Sequence, residues 1–149
     1  MKNERRAAEL LATPPTGWME TLGARISESE PGRVVLELEA GPKHRHGGGI
    51  VQGGVITQIA DAAMGMSLAT LQEDGLWNTT IELKINLIGT TRSGIVECEA
   101  TLVHGGRSTQ VWDARIIEAG GRTIALFRCT QMLLYRTKRE SDAESAKGA

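Results

Sequence analysis

Hydrophobic and polar positions in the first third of the chain predict a short helix followed by two strands. Residues 3–12 follow an amphipathic helical pattern that stops at a Thr-Pro-Pro breaker. Residues 16–19 continue as an irregular segment suited to covering a cleft. Residues 22–28 and 33–39 flank a Pro-Gly turn, and the second of them alternates between a buried face and a more polar one.

The most apolar stretch of the chain predicts one long helix from Gly53 to about Glu73. Apolar residues occupy nearly its whole circumference, which is the pattern of a helix buried on all sides. At 1.5 Å per residue it would span roughly 30 Å, enough to cross a small sheet. A loop rich in glycine and histidine, residues 41–51, precedes it.

After this helix the hydrophobic period changes to two. Residues 80–87 alternate strictly, with Thr80 on the polar side together with Glu82, and long strands follow over 95–103, 108–118 and 122–135. Glycine-rich turns join these last strands as hairpins. The order of elements predicts an α+β fold, in which a curved antiparallel sheet of five to six strands wraps around one long central helix.

We expect these elements to form one domain with two appendages. Residues 1–16 would be an N-terminal helix and linker, and residues 17–136 the domain itself. Residues 137–149 are polar throughout, so we expect a disordered tail. A chain of 149 residues suits a single core of this kind.

Composition narrows the classes of partner. The net charge of −1 and the aromatic content of 3% argue against a nucleic-acid partner. Cys98 and Cys129 lie in apolar strand-like segments without metal-ligand spacing, which predicts reduced thiols in a cytoplasmic protein. We expect no signal sequence and no membrane span, because Gln58 and Asp61 interrupt the most apolar stretch.

The start of the long helix is the first candidate for chemistry. The segment Gln52-Gly53-Gly54 falls where backbone N–H groups lack intrahelical partners and carry partial positive charge. Since Gly53 has no side chain, a ligand carbonyl can approach its N–H closely. This arrangement predicts a site that binds an oxyanion.

Asp61 is the second candidate, because it lies among residues that are nearly all apolar. A buried carboxylate tends to have a raised pKa, which suits a general base or a nucleophile. The alternative is a structural carboxylate that only fixes helix packing. Asp61 lies about 12 Å along the helix axis from Gly53, so the two would meet on one substrate only across a two-fold interface.

Histidine chemistry is sparse. His44, His46 and His104 are the only histidines, and their spacing is poor for a metal, so we expect solvated loop histidines and no metal site.

The run from His46 to Asp61 resembles the signature of the PaaI-like hotdog thioesterases, relatives of phenylacetyl-CoA and 4-hydroxybenzoyl-CoA thioesterases. That signature is an Asn or Gln, then His-Gly-Gly six residues later, then Asp or Glu nine residues after that His. Here the positions hold His46, Gln52-Gly53-Gly54 and Asp61, so the amide and the imidazole are exchanged. The strand start at residues 79–83 is also similar, and the resemblance extends over residues 17–135.

The resemblance implies a hotdog fold and a set of catalytic roles. Asp61 would be the general base or the nucleophile, and the N–H of Gly53 in the partner subunit would polarise the thioester carbonyl. Thr80 would position water or the carboxylate. Gln52 would hydrogen-bond near the carbonyl, and His46 would hold the catalytic water, contact the carboxylate or be a plain loop histidine.

The resemblance also implies binding residues and an assembly. Gly54 would bind the substrate, and Met64 would line an apolar channel for the acyl group or be a plain core residue. Arg107, Ser108 and Thr109 resemble a region that contacts the phosphates or pantetheine arm of coenzyme A, and the alternative for Arg107 is a solvated turn arginine. Coenzyme A enters as part of the substrate, and no cofactor is implied. The family pattern implies a homodimer, with a dimer of dimers beyond it.

The function expected from this resemblance is hydrolysis of an aryl- or medium-chain acyl-CoA to the free acid and CoA. One alternative is a hotdog acyl-CoA hydratase or dehydratase, in which His46 would reach the substrate α-carbon. The other is a non-catalytic module that binds acyl-CoA.

Overall fold

The computed structural model describes residues 1–73 and 76–135, so the predicted tail at 137–149 lies outside the described residues. The helices are α1 (Lys2–Ala12), α2 (Trp18–Leu22) and α3 (Gly53–Leu71), with a short 3₁₀ turn at Pro42–His44. The strands are β1 (Ala24–Glu30), β2 (Arg33–Ala40), β3 (Leu76–Leu87), β4 (Gly94–Gly105), β5 (Thr109–Ile117) and β6 (Thr123–Tyr135).

The six strands form one antiparallel sheet in the order β1-β2-β4-β5-β6-β3. α3 lies on its inner face and packs mainly against β2, β4 and β5. The predicted α+β hotdog architecture, a long central helix wrapped by an antiparallel sheet, is therefore confirmed. β1 and β3 are the two edges of the sheet.

The core lies between α3 and the inner face of the sheet. Its largest side chain is Trp112, which is 0% exposed and donates its indole N–H to Gln110 Oε1 at 3.1 Å. Cys98 and Cys129 are free thiols buried in this core, as predicted. Each fully buried Leu or Ile here contributes about 1.5–3 kcal/mol to the free energy of unfolding. The other main contributors are Leu36, Leu38, Ile59, Leu68, Ile116 and Ile124.

The prediction that α3 is buried on all sides is wrong. Gly54, Gln58 and Asp61 form an exposed stripe along it. The reason is that α3 lies over β2, β4 and β5 and makes few contacts with β6, so the inner face of β3 stays uncovered. By length and mean hydropathy (1.2) α3 alone among the described helices could span a membrane, but it packs here as a core helix.

Residues 16–19, predicted to be irregular, instead lead into the helix α2. Gly17 (φ 59) precedes its first residue and Gly23 (φ 76) ends it in the left-handed conformation, so two glycines set its limits. Met19 is 6% exposed and anchors α2 in the core.

A β-bulge in β3 breaks the strict alternation predicted for residues 80–87. Thr80 pairs with Gln131, whereas Glu82 pairs with Thr130, so Ile81 is the extra residue. Since odd-numbered β6 residues face the core, Thr80 faces inward with Leu83, and Glu82 faces outward. Placing Thr80 on the same face as Glu82 was therefore wrong, because a period of two cannot anticipate a bulge.

Candidate active site

The first turn of α3 presents free backbone donors. Gln52 is the N-cap, but its side chain makes no capping hydrogen bond; its carbonyl accepts the N–H groups of Val55 and Ile56. For the N–H groups of Gly53 and Gly54, no acceptor lies within residues 1–73 and 76–135. The 19-residue helix directs its positive end here, so an anionic oxygen would be stabilised at this point.

A cavity of about 310 Å³ lies beside these donors. Gly53 forms part of its wall, and a Cβ at that position would meet Leu87 Cδ1 at 2.6 Å, so any larger residue would displace the Leu87 side chain. The wall is largely aliphatic. It is lined by His46, Ile50, Val51, Gly53, Ile56, Leu87, Ile88, Gly89, Thr90, Thr91 and Ile124.

His46 is exposed at the edge of this cavity and is held by its own loop. Its Nδ1 accepts the Gly48 N–H at 2.8 Å, and its backbone N–H bonds the Ile50 carbonyl. A neutral ring that accepts at Nδ1 carries its proton on Nε2. His46 therefore offers an N–H donor at the cavity. The Asn or Gln that the family signature has at this position could provide the same donor from its side-chain amide.

His44, only two residues earlier, is not the solvated loop histidine that was predicted. It is 2% exposed, its Nδ1 accepts the Gly41 N–H at 2.9 Å, and its Nε2 donates to the Leu22 carbonyl at 2.7 Å. The ring thereby joins the end of α2 to the loop that leads into α3. Its role is structural.

Asp61 lies on the exposed stripe of α3, so the prediction of a buried carboxylate is wrong for the single chain. Its apolar surroundings still desolvate it enough to raise the pKa of the carboxyl. No side chain within residues 1–73 and 76–135 pairs with the carboxylate. Burial raises the pKa of the Cys129 thiol to about 11, and the charges of Asp61, Glu82 and Asp113 add to that rise.

Thr80 lies on the inner face of β3 and belongs to a chain of polar side chains. Asn78 Nδ2 donates to Gln131 Oε1 at 2.8 Å, and Gln131 Nε2 donates to Thr80 Oγ1 at 2.8 Å. Gln131 is 0% exposed, while Thr80 is exposed. Sequence reasoning missed Gln131, because nothing in an alternating strand marks one inward amide as functional.

The residues predicted to bind coenzyme A lie at the other end of the sheet. Arg107 and Ser108 are exposed in the β4–β5 turn, and Thr109 begins β5. The Ser108 carbonyl accepts the Leu133 N–H at 2.8 Å, close to the start of β3. Met64 is 2% exposed in the core and does not line the cavity.

The structure thus brings some predicted site residues together and separates others. His46 and Gly53 share one cavity, whereas Asp61 and Thr80 belong to the open gap between α3 and β3 farther along. The apolar cavity wall supplied by Leu87, Ile88 and Ile124 was not predicted. The sequence signal that could have indicated this wall is the pair of apolar residues, leucine and isoleucine, at the end of a strand.

A second cavity, of about 450 Å³, lies on the outer face of the sheet. Two of its carboxylates are paired: Asp113 with Arg128 at 2.6 Å, and Glu99 with Arg33. It lies on the face of the sheet opposite α3, away from the free N–H groups of Gly53 and Gly54, so we do not place the thioester chemistry there.

Comparison with known proteins identifies the class. Residues 48–125, just over half of the chain, match the family model described as the thioesterase superfamily. The chain belongs to this superfamily and is a thioester hydrolase. The match includes α3, with Gly53 and Asp61, and it supports hydrolysis over the hydratase and binding-module alternatives.

Named relatives agree with this class. The chain is 31% identical over 114 residues to a 1,4-dihydroxy-2-naphthoyl-CoA hydrolase from Listeria monocytogenes, covering 76% of this chain and 93% of that protein. A thioesterase family protein from Silicibacter pomeroyi has a TM-score of 0.77 at 28% identity, covering 90% and 99% of the two chains. The Escherichia coli PaaI protein, at 22% identity, shares the fold with a TM-score of 0.79 over 91% and 96%. The resemblance to PaaI-like hotdog proteins is confirmed.

Proposed function

We propose that the protein hydrolyses an aryl- or medium-chain acyl-CoA to the free acid and CoA, as a cytoplasmic homodimer with two composite sites. The observation that carries the proposal is the open gap between α3 and β3. The gap has the Asp61 carboxylate on its helical side, and the free Gly53 N–H lies beside an apolar cavity at its end. Free buried thiols suit a reducing compartment.

In this proposal Asp61 is the general base. It takes a proton from water while the water oxygen bonds to the thioester carbon, and the carbon–sulfur bond then breaks to release CoA thiolate. A raised carboxyl pKa makes Asp61 a stronger proton acceptor than an ordinary aspartate. The N–H of the partner subunit's Gly53 stabilises the oxyanion, an interaction worth about 10²–10³ in kcat.

A dimer formed through β3 would bring these groups together. Gly53 contacts Leu87 at the end of β3, whereas the β4–β5 turn with Arg107 lies near its start. In a two-fold antiparallel pairing, the end of one β3 lies beside the start of its partner. Each Gly53 is thereby brought toward the Asp61 and the Arg107 of the other subunit, where Arg107, Ser108 and Thr109 would meet the CoA moiety.

The cavity suits the acyl group, because its walls are aliphatic and His46 is its only titratable side chain. The relative from Listeria monocytogenes is named for an aryl-CoA substrate, so aryl esters belong among the candidates. Gln52 and Gly54, exposed at the start of α3, would line the approach to the thioester. We further propose that dimers pair into tetramers.

The test is release of thiol from a panel of CoA esters: 1,4-dihydroxy-2-naphthoyl-, phenylacetyl-, benzoyl-, hexanoyl- and decanoyl-CoA. The native protein is compared with Asp61→Asn and with Glu39→Gln, which makes the same change at an exposed carboxylate on β2. We expect Asp61→Asn to lose about 10²–10⁴ in kcat and Glu39→Gln to keep native activity. An Asp61→Asn protein that retains native turnover would overturn the role of Asp61. Absence of turnover of every ester by the native protein would overturn the substrate class.

A further inference from the structure

The polar side chains on the inner face near the start of β3 are unusual for a core. Gln131 is 0% exposed, yet both ends of its amide are satisfied: Oε1 by Asn78, and Nε2 by Thr80 Oγ1 and, at 3.6 Å, by Cys129 Sγ. A buried amide with fixed partners holds those partners rigidly.

The β-bulge at Ile81 places Asn78 and Thr80 on the same face of the sheet as Gln131. Leu83, Ile85 and Leu87 face inward on the C-terminal side of the bulge, and Asn78 and Thr80 face inward on its N-terminal side. If Ile81 instead paired with Gln131 in a regular ladder, Asn78 and Thr80 would face away from Gln131. Bulges next to active sites commonly serve to redirect a side chain.

The hydrogen bond also fixes what Thr80 can do. Because Oγ1 accepts from Gln131 Nε2, the hydroxyl proton is free to be donated elsewhere. Thr80 is exposed to the gap between α3 and β3. Asp61 is exposed as well, on the stripe of α3 that the sheet does not cover.

We propose that Gln131, anchored by Asn78, is a positioning residue for hydrolysis. It holds the Thr80 hydroxyl so that its proton is donated to the water that Asp61 deprotonates. The water then has one proton directed at Asp61, one lone pair bonded by Thr80 and the other aimed at the thioester carbon. This inference rests on the proposed function. It adds a residue on β6, Gln131, that acts on the reaction indirectly by holding Thr80 on β3.

The test is a double-mutant cycle between Gln131→Met and Thr80→Val, with Thr80→Ser as the conservative variant. Each single variant should lower kcat about tenfold and leave KM within about twofold, because the acyl-CoA contacts are untouched. In the Thr80→Val background, Gln131→Met should cost little more. Thr80→Ser should keep most of the activity, since it retains the hydroxyl.

The matched control is Gln110→Met. Gln110 is another inward glutamine, opposite Gln131 in the sheet, but its amide accepts from Trp112 and not from Thr80. We expect it to lower thermal stability and to leave kcat within about twofold. If Gln131→Met does not fold, Asn78→Val removes the anchor instead and should lower kcat in the native background but not beside Thr80→Val.

The outcomes separate the two proposals. Multiplicative losses in the cycle, or an equal loss in Gln110→Met, would reduce Gln131 to a packing residue and overturn the inference. Asp61→Asn, assayed in parallel, tests the proposed function on its own: if it loses activity while the Gln131 and Thr80 variants do not, only the positioning role fails.

Discussion

The two edge strands of the sheet, β1 and β3, differ in how well they are protected from pairing with another chain. β1 has seven residues, carries the charged side chains Arg25, Glu28 and Glu30, and is irregular between Ile26 and Glu28. Helix α1 packs against it. Short length, charge, a bulge and a covering helix are the devices by which proteins keep an edge strand from pairing with another chain.

β3 has a bulge and the charges of Glu82 and Lys84, but it lacks two of these protections, the short length and the covering helix. It has twelve residues, and it exposes Ile81 (52%), Leu83 (42%) and Leu87 (52%). α3 leaves its inner face uncovered, and the candidate site lies on this side of the molecule. The difference between the two edges favours the proposed dimer through β3, in which assembly and chemistry would use the same surface, so a change at β3 should disturb both.

The largest effect should come from placing a charge in the exposed face of β3. Leu83→Lys would bury an unpaired ammonium in the proposed dimer, at a cost of several kcal/mol, which corresponds to more than about a hundredfold in the dimer dissociation constant. We expect a monomer by analytical ultracentrifugation and loss of turnover at the same protein concentration. Because Leu83 is exposed in the single chain, the fold itself should survive.

Val103→Lys is the control for that experiment, since Val103 is 52% exposed on β4, an interior strand of the sheet. It should remain dimeric and active. A Leu83→Lys protein that stays dimeric and active would show that β3 is not the interface.

A smaller effect should follow from Gly53→Ala, which tests whether the end of β3 shapes the site. The new Cβ would meet Leu87 Cδ1 at 2.6 Å and displace that side chain, so kcat/KM should fall about tenfold. Removing the obstacle in Gly53→Ala/Leu87→Ala should restore part of the loss. If the double variant is no better than Gly53→Ala, contact with Leu87 is not the reason that glycine is needed.

The smallest effect concerns the ionisation of Asp61. Desolvation raises its carboxyl pKa already in the single chain, and a dimer would desolvate it further. Carbon-13 NMR titration should therefore give a pKa above the ordinary aspartate value of about 3.9 in the native protein, and a smaller rise in Leu83→Lys. Equal values in the two proteins would contradict burial of Asp61 at the interface.

The same shift has a consequence for stability, whose sign is opposite to that of a paired carboxylate. A raised native pKa means that the folded chain binds the proton more tightly than the unfolded chain, so stability falls as the pH rises through that pKa. At neutral pH, Asp61→Asn should consequently melt no lower than the native protein. The proposed catalytic role of Asp61 would therefore conflict with stability at this position.

Much of the fold could be predicted because it depends on local pattern. The apolar run of α3 and the two-residue period of the last strands predicted the central helix and the antiparallel sheet. What the pattern could not show depends on neighbours in space. His44 is buried because the Leu22 carbonyl reaches it, and Asp61 is exposed because α3 stops short of β3.

For the candidate site, the spacing of His46, Gly53 and Asp61 identified the segment, and the structure places two of these three at one cavity. Gln131 could not be found this way, since its contact with Thr80 depends on a bulge in a different strand. Single-sequence periodicity assigns each strand residue to a face independently, so it misses any device that changes face within a strand.

The bulge at Ile81 gives β3 something like a shift of reading frame. Upstream of it the even-numbered residues face the core, and downstream the odd-numbered ones do, so a single inserted residue separates a polar inner surface from an apolar one. Deletion of Ile81 alone would leave Asn78 and Thr80 on the inner face, whereas pairing of Ile81 itself with Gln131 would exchange them for Trp77 and Thr79 with no substitution at all. A change of strand register at the bulge, more than replacement of a side chain, is therefore the kind of change to which this half of the candidate site is most sensitive.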